Sequence, residues 1–210
     1  MSSEIKEILE WTYCILIAVI IALLIRYYIG TPTIVKQVSM YDTLEEGQRL
    51  WLNRWVRTTS KDYKRGEIIT FEAPSDPIVA IADVDINNTV AKYNNSPKGI
   101  FGKFVYYVLE LNKMSYIKRV IGVAGDHIKI EDGKVYLNGE ELQEDYLNEN
   151  IETKGGNYLD IVVPEGYVYV LGDNREHSTD SRMFGCIPIN KIESRVAFRF
   201  WPLSKFGRVD

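Results

Sequence analysis

Apolar and polar residues are distributed unevenly along this chain of 210 residues, and its longest apolar run lies near the N-terminus. Residues 11–25 (WTYCILIAVIIALLI) carry no charge, and Arg26, Tyr27 and Tyr28 extend the run. If the arginine reaches the interface and the aromatic rings sit at the headgroup level, the run approaches the roughly 20 residues that a spanning helix needs. The pattern predicts a transmembrane anchor over 11–29, preceded by a short tail over 1–10.

A cleaved secretory signal and a buried core helix are the two alternatives for this segment. A secretory signal begins with basic residues and ends at a small-x-small cleavage site. Here the first residues are mostly acidic (Glu4, Glu7 and Glu10 against Lys6), and 29–32 makes no convincing cleavage site. An uncleaved anchor is therefore favoured, although the flanking charges do not fix its orientation.

Beyond Gly30 the pattern changes to short alternating runs that are bounded by turn residues. The clearest is a hairpin in which 128–130 and 134–137 alternate around Asp132 and Gly133. Further strands are predicted at 34–38, 49–53, 67–71, 161–163, 167–171 and 195–201. Many short strands with frequent turn signals indicate a mostly β, largely antiparallel body.

One stretch, 77–115, interrupts this rhythm. Its apolar residues from position 99 onward fall on one helical face, which predicts an inserted helix near 99–113. Two interpretations stay open: the apolar stripe packs on the β body, or the helix lies on the membrane surface. The body is then divided into a first core part over 30–76, the insertion, and a second core part over 116–210 that includes the hairpin sub-domain.

Composition narrows the possible functions. A formal net charge of -4 and the lack of a dense Lys/Arg patch argue against nucleic acid as a partner. Two cysteines and two histidines do not make a zinc ligand set, so neither a metal nor a cofactor is expected. Cys14 lies in the apolar run and Cys186 near the far end, so no disulfide between them is expected.

Two segments far apart in the chain together suggest catalysis. Ser39 follows the extended run 33–38, and Lys118 stands in a strand-like run of β-branched residues. Burial of an amine disfavours its charged form and lowers its pKa. A neutral lysine can take the proton of a serine hydroxyl, which is the Ser-Lys variant of nucleophilic catalysis.

A third polar segment, 172–185, follows an apolar strand and is therefore expected on a loop at the end of that strand. A solvated turn stitched by side-chain hydrogen bonds is the plain interpretation. In the functional interpretation, a hydroxyl such as Ser178 orients the lysine amine. Asp180 would then fix the loop through a charge-assisted pair with Arg182 or Arg175.

Other catalytic arrangements have weaker support. A Ser-His-Asp triad would need His127 or His177, and a cysteine protease pair would need Cys186 with His177. Cys186 is expected instead to pack as a small apolar residue. Self-cleaving SOS repressors share the Ser-Lys chemistry, but they lack an anchor and carry a DNA-binding domain.

The order of these segments resembles that of bacterial type I signal peptidases, the membrane-bound Ser-Lys endopeptidases that remove signal peptides from exported preproteins. The matching parts are the anchor, Ser39-Met40 with Thr43-Leu44, and the segments 65–71, 116–126 and 172–185. The resemblance implies a β-rich catalytic core with a small β extension. It also implies a single-pass protein of the cell membrane, with its catalytic domain on the extracytoplasmic side.

The resemblance assigns roles to individual residues. It implies Ser39 as the nucleophile and Lys118 as the general base. It implies Ser178 as the hydroxyl that positions the lysine, and Asp180 with Arg182 as a structural ion pair near the site.

Two positions depart from the family's pattern. Asp42 stands where relatives usually have proline, and a carboxylate so close to Ser39 would raise the lysine pKa if it pointed inward. A turn cap that faces water is the favoured alternative for Asp42. Gln37 stands where some relatives have a serine oxyanion donor and others glycine, so Gln37 and Met40 are taken as supporting positions.

The resemblance also implies partners: secretory preproteins with small residues at the first and third positions before the cut, the lipid bilayer, and the protein export machinery nearby. The alternative from another class is a catalytically idle relative that acts as an assembly factor or chaperone, for example in pilus export. Retention of Ser39, Lys118 and Ser178 favours the enzyme, while Asp42 and the insertion keep the alternative open.

Overall fold

Two antiparallel sheets and one long N-terminal helix form the architecture of this protein, which is known from a computed structural model. The structure describes residues 3–59, 62–80, 84–85, 88–94, 97–111, 113–148 and 151–209. The predicted fold class, a mostly β body with an N-terminal apolar helix and a short inserted helix, is confirmed.

The N-terminal helix is long and apolar enough to cross a membrane. Helix α1 (Ser3–Leu24) continues as a π-helical segment (Ile25–Ile29). An 18-residue window within them has a mean hydropathy of 2.6 and no buried residue, and together the two segments give 27 helical residues. At 1.5 Å per residue this is about 40 Å, more than the ~30 Å of a bilayer's hydrocarbon. The tail predicted over 1–10 is helical from Ser3, because neither glycine nor proline interrupts the sequence before Gly30.

Within the described ranges, eleven strands form the β body. In chain order they are β1 (Gly30–Ile34), β2 (Arg49–Asn53), β3 (Ile68–Glu72), β4 (Ser115–Val123), β5 (His127–Glu131), β6 (Lys134–Leu137), β7 (Glu140–Glu141), β8 (Asp160–Val162), β9 (Tyr167–Leu171), β10 (Ile187–Pro188) and β11 (Ile192–Trp201). The larger sheet has the order β1-β2-β11-β3-β4-β9-β10, and the smaller sheet the order β7-β6-β5-β8.

Short helices connect these strands. They are α2 (Val56–Thr59), α3 (Gly99–Phe104) with a π-helical continuation (Val105–Leu109), and α4 (Ser181–Phe184). Two 3-10 turns, Val38–Met40 and Arg175–His177, contact each other, and the first also contacts β4. One apolar cluster, which includes Met40, Leu44 and Ile68, packs directly beneath the first of these turns.

The predicted hairpin is present as β5 and β6, and its two turn residues account for the sequence signal. Asp132 and Gly133 both have positive φ, 50° and 80°, as a two-residue hairpin turn requires. The strand predicted at 34–38 is wrong, because the observed strand β1 ends at Ile34. Val35 instead exchanges backbone hydrogen bonds with the turn at Gly47 and Gln48, which stops the ladder before the serine.

The inserted helix ends at Leu109, four residues before the predicted limit. Glu110 adopts the left-handed conformation and ends the helix, and its carboxylate accepts hydrogen bonds from Arg54 at 2.7 Å and Arg26 at 3.2 Å. Packing of the whole apolar stripe on the β body is wrong for the N-terminal half, since Ile100 and Phe101 are almost fully exposed.

Candidate active site

The Ser39 turn, Val38–Met40, is held from two sides. Below it, the Met40 side chain is fully buried among the apolar residues of β2 and β3. Above it, Asn174 donates from its backbone N–H to the Ser39 carbonyl at 3.1 Å and from Nδ2 to the Val38 carbonyl at 3.0 Å. These contacts fix the backbone that carries the Ser39 hydroxyl.

Lys118 brings an amine to that hydroxyl from strand β4 of the larger sheet. It stands on β4 opposite Ile69 of β3, and it is 2% exposed. Its Nζ lies 2.7 Å from Ser39 Oγ and 3.1 Å from the Ile117 carbonyl. The distance to Ser39 is within the range that proton transfer between a base and a nucleophile needs.

Burial sets the charge of this amine. Loss of hydration lowers the pKa of Lys118 to about 8, although the nearby Asp180 and Asp173 carboxylates oppose the shift. With a pKa of about 8, about one lysine in ten is neutral at pH 7, against roughly one in 3,000 for an ordinary lysine. The site therefore holds a usable base near neutral pH.

Ser178 lies beside the same turn without a hydrogen bond to Lys118. A Cβ added at Gly172 would lie 2.2 Å from Ser178 Oγ and 2.5 Å from the Ser39 carbonyl oxygen, which places both serines against this glycine. Within the described part of the chain, the buried Ser178 Oγ finds no hydrogen-bond partner. A buried hydroxyl without a partner costs about 1–3 kcal/mol, so this oxygen is free to accept a bond.

Asp180 and Arg182 form the ion pair that the sequence suggested. Both residues are buried, and the Arg182 guanidinium donates one hydrogen bond to each Asp180 carboxylate oxygen, both at 2.9 Å. Asp180 also caps helix α4 and accepts from the Gly172 N–H at 3.1 Å. Arg175, the other candidate partner, pairs instead with Glu144.

A second buried ion pair was missed by the sequence reasoning. Arg119 binds both oxygens of Asp173, with Nη2 at 2.8 Å from Oδ2, and Thr43 Oγ1 donates to that same oxygen at 2.6 Å. This network ties β4 and the loop after β9 to the residues that follow Ser39. Arg119 stands next to Lys118 and Asp173 lies in the polar segment 172–185, but a sequence does not say which acid pairs with which base.

The two positions that depart from the family's pattern are both exposed. Asp42 accepts a hydrogen bond from Asn148 and does not figure among the charges that shift the pKa of Lys118. The favoured interpretation, a carboxylate that faces water, is the one observed. Gln37 lines a cavity of about 340 Å³ beside Ser39; the other lining residues are Lys36, Val38, Ser39, Tyr116, Lys118, His177 and Thr179.

The competing nucleophile and base candidates are placed differently. His127 lies on the surface with its Nε2 at 2.6 Å from Asp160 Oδ1. His177 is exposed at the rim of the cavity and lies near Asn174. Cys186 is buried in an apolar cluster, as expected, and burial raises the pKa of its thiol to about 12, which disfavours a thiolate.

The similarities of this chain to known proteins indicate one family. A family model described as signal peptidase, peptidase S26, matches residues 8–201. Signal peptidase IB of Staphylococcus aureus (strain COL) is 33% identical over 96% of this chain and 93% of its own length. Signal peptidase I of Bacillus licheniformis is 32% identical over 98% and 95%, respectively.

A solved structure, the crystal structure of a signal peptidase I from Enterococcus faecalis V583, aligns with a TM-score of 0.41 and 25% identity. The alignment covers 65% of this chain and 97% of that one. The family model spans far more than half of the sequence, and the two curated relatives match nearly all of it. By these matches the chain belongs to the signal peptidase family, peptidase S26.

Proposed function

We propose that this protein is a membrane-bound serine endopeptidase that removes signal peptides from preproteins, with Ser39 as nucleophile and Lys118 as general base. The observation that carries the residue assignment is the 2.7 Å contact between the buried amine and the hydroxyl. Family membership supports the reaction, since the matched relatives are signal peptidases.

The chemistry follows from the charge state of the lysine. The neutral Lys118 amine takes the Ser39 proton while Oγ attacks the scissile carbonyl, and the resulting ammonium gives a proton to the leaving amine. The same amine then activates water, which breaks the acyl ester and restores the serine. Ser178, whose hydroxyl is unpaired within the described chain, is the proposed group that orients the amine during these transfers.

The negative oxygen that forms on the carbonyl needs hydrogen-bond donors. The Ser39 backbone N–H is the first proposed donor, and the Gln37 side chain, which lines the same cavity, is the second. One such donor contributes about 3 kcal/mol to the stability of the transition state.

An open strand edge beside the cavity suggests how the substrate binds. The pairing of β4 with β9 begins at Arg119, so among the described strands residues 115–117 have no partner on the side of β9. Val120 bonds toward Glu67, and strand alternation then directs the N–H and carbonyl of Ile117 to the open side. An extended peptide can pair there, with small side chains entering the cavity.

The anchor relates this site to the membrane. Helix α1 and its continuation are proposed to hold the catalytic body on the extracytoplasmic face, where the export machinery delivers preproteins. The idle-relative alternative gains no support, because Ser39 and Lys118 are in contact and the reported relatives are all signal peptidases.

A pH profile of preprotein cleavage in vesicles tests the proposal. Because the protonated lysine cannot act as a base, the rate is expected to rise with pH and to reach half its plateau near pH 8. Mass spectrometry of the product locates the cut after a small residue. A midpoint near pH 10.5, where an ordinary lysine titrates, would contradict the role of Lys118.

Gly172→Ala tests the packing behind the nucleophile. The new Cβ would lie 2.5 Å from the Ser39 carbonyl oxygen and 2.2 Å from Ser178 Oγ, so the Ser39 turn must shift relative to this loop. A displacement of about 1 Å is expected to lower kcat on the order of 100-fold. Gly102→Ala is the matched control, since its Cβ would meet its nearest neighbour at 3.9 Å. Equal rates for the two variants would contradict this account.

A further inference from the structure

The inserted helix presents a nearly bare apolar face. Ile100 is 91% exposed, Phe101 79% and Phe104 41%, and all three lie on adjacent turns of α3. Single exposed apolar residues are ordinary on a protein surface. Three large exposed apolar side chains on one helical face indicate a surface that contacts a membrane or another molecule.

The opposite face of the same helix is bound to the β body. The Tyr106 hydroxyl donates to Glu72 Oε1 at 3.0 Å, and at helical spacing Tyr106 points away from Phe101 and Phe104. This contact prevents the helix from turning its apolar face inward. The exposure of Ile100, Phe101 and Phe104 is therefore built into the fold.

The C-terminal end of this helix is fixed to the end of the membrane anchor. Arg26, in the last turn of the anchor, reaches the Leu109 carbonyl at 3.4 Å and Glu110 at 3.2 Å. Arg54, next to strand β2, holds the same carboxylate at 2.7 Å. The helix thus ends where the anchor emerges, at the level where Tyr27 and Tyr28 are expected among the headgroups.

The charge of the segment suits an anionic surface. Residues 97–109 include two lysines and no acidic residue. Both lysines, Lys98 and Lys103, are exposed. A short helix with large apolar side chains and lysines at its polar border is the pattern of a helix that lies in the membrane interface.

We propose that the segment 98–109 lies flat on the bilayer that carries the anchor, with Ile100, Phe101 and Phe104 at the acyl boundary and Lys98 and Lys103 at anionic headgroups. The anchor alone would let the catalytic body rotate about its axis. A second membrane contact fixes the orientation and height of the Ser39 cavity. This inference rests on the proposed membrane anchoring and is independent of the Ser39–Lys118 chemistry.

Site-specific fluorescence of the full chain in vesicles tests the proposal. The chain has two free cysteines, and Cys186 is buried, so an environment-sensitive thiol probe labels Cys14 of the natural protein, within the anchor. In a Cys14→Ser background, Phe101→Cys places the probe on the helix and Glu140→Cys places it on an exposed position of the smaller sheet. Vesicles of phosphatidylethanolamine and phosphatidylglycerol carry shallow or deep lipid quenchers.

The expected result is a blue-shifted emission for the Phe101→Cys probe, quenched most by the shallow lipid. The Cys14 probe is quenched most by the deep lipid, and the Glu140→Cys probe by aqueous iodide. A Phe101→Cys probe that behaves like the Glu140→Cys probe would overturn the proposal. Shielding that appears only after a preprotein is added would also overturn it and assign the face to the substrate. A water-exposed Cys14 probe would instead refute the anchor.

The lysines give a second, independent readout. In phosphatidylcholine vesicles without anionic lipid, the blue shift of the Phe101→Cys probe is expected to shrink. With Lys98→Gln and Lys103→Gln added, the shift is expected to become the same in both lipid mixtures. Lys129→Gln, at an exposed lysine of β5, is the matched control and should keep the difference. If the segment that keeps both lysines gave the same blue shift with and without anionic lipid, the proposed contact of Lys98 and Lys103 with anionic headgroups would be contradicted.

Discussion

Replacing Lys118 with methionine is expected to abolish preprotein cleavage, with a loss of at least about 10⁴-fold in kcat. Methionine keeps the buried volume of the strand position but cannot take the Ser39 proton. Ser39→Ala is expected to cause a similar loss, and the double variant no more than either change alone, because the two groups act as one unit. Cleavage of a purified preprotein in vesicles measures these rates.

Two further variants test whether Lys118 acts as a general base or contributes only positive charge or packing. Lys118→Arg keeps a cation but is expected to be inactive, since an arginine does not lose its proton near neutral pH. Lys129→Met, on the exposed side of β5, should leave the rate unchanged. Activity in Lys118→Met would mean that another residue is the general base, and His177 at the cavity rim would be the first candidate.

Breaking the Asp180–Arg182 pair is expected to give the largest loss of stability. Asp180→Ala leaves the Arg182 guanidinium buried without its counter-charge, which costs about 3–5 kcal/mol in the free energy of unfolding. It also removes the cap of α4 and the acceptor of the Gly172 N–H. For a chain of this size we expect a fall in Tm of roughly 6–20 °C, measured on the full chain in detergent.

An exposed ion pair provides the matched control. Lys129 and Glu131 lie 2.7 Å apart on β5, and both side chains are well exposed. Glu131→Ala should leave the free energy of unfolding nearly unchanged, because water and salt screen an exposed pair. Similar losses for Asp180→Ala and Glu131→Ala would mean that the buried pair does not stabilise the fold in the way argued here.

Local signals predicted those parts of the fold that local physics decides. The hairpin of β5 and β6 follows from the turn at Asp132 and Gly133, and strand β9 from an apolar run between clear turn residues. The strand predicted at 34–38 failed, because Val35 pairs with the turn at Gly47 and Gln48, which lies twelve residues later. No pattern within the run itself reveals that competition.

The site shows the same division. The sequence pointed to Ser39, Lys118 and Asp180 because each residue type suits its proposed task. It did not reveal that Asp173 pairs with Arg119. Nor did it reveal that Asn174 donates hydrogen bonds to the carbonyls of Val38 and Ser39. Several acidic and basic residues near these positions could have paired, and the packing of the loop after β9 decides among them.

The order of amino acids alone specifies the long apolar N-terminal segment, the β pattern, and a serine and a lysine placed after and within extended runs. Tertiary structure alone decided that the two side chains meet at 2.7 Å and that the amine is withdrawn from water. The reason is physical: a lysine's charge depends on the solvent around it, and that solvent is removed by strands and loops distant in the chain. It was likewise the tertiary contacts of Tyr106 and Glu110 that left the inserted helix with its apolar face outward.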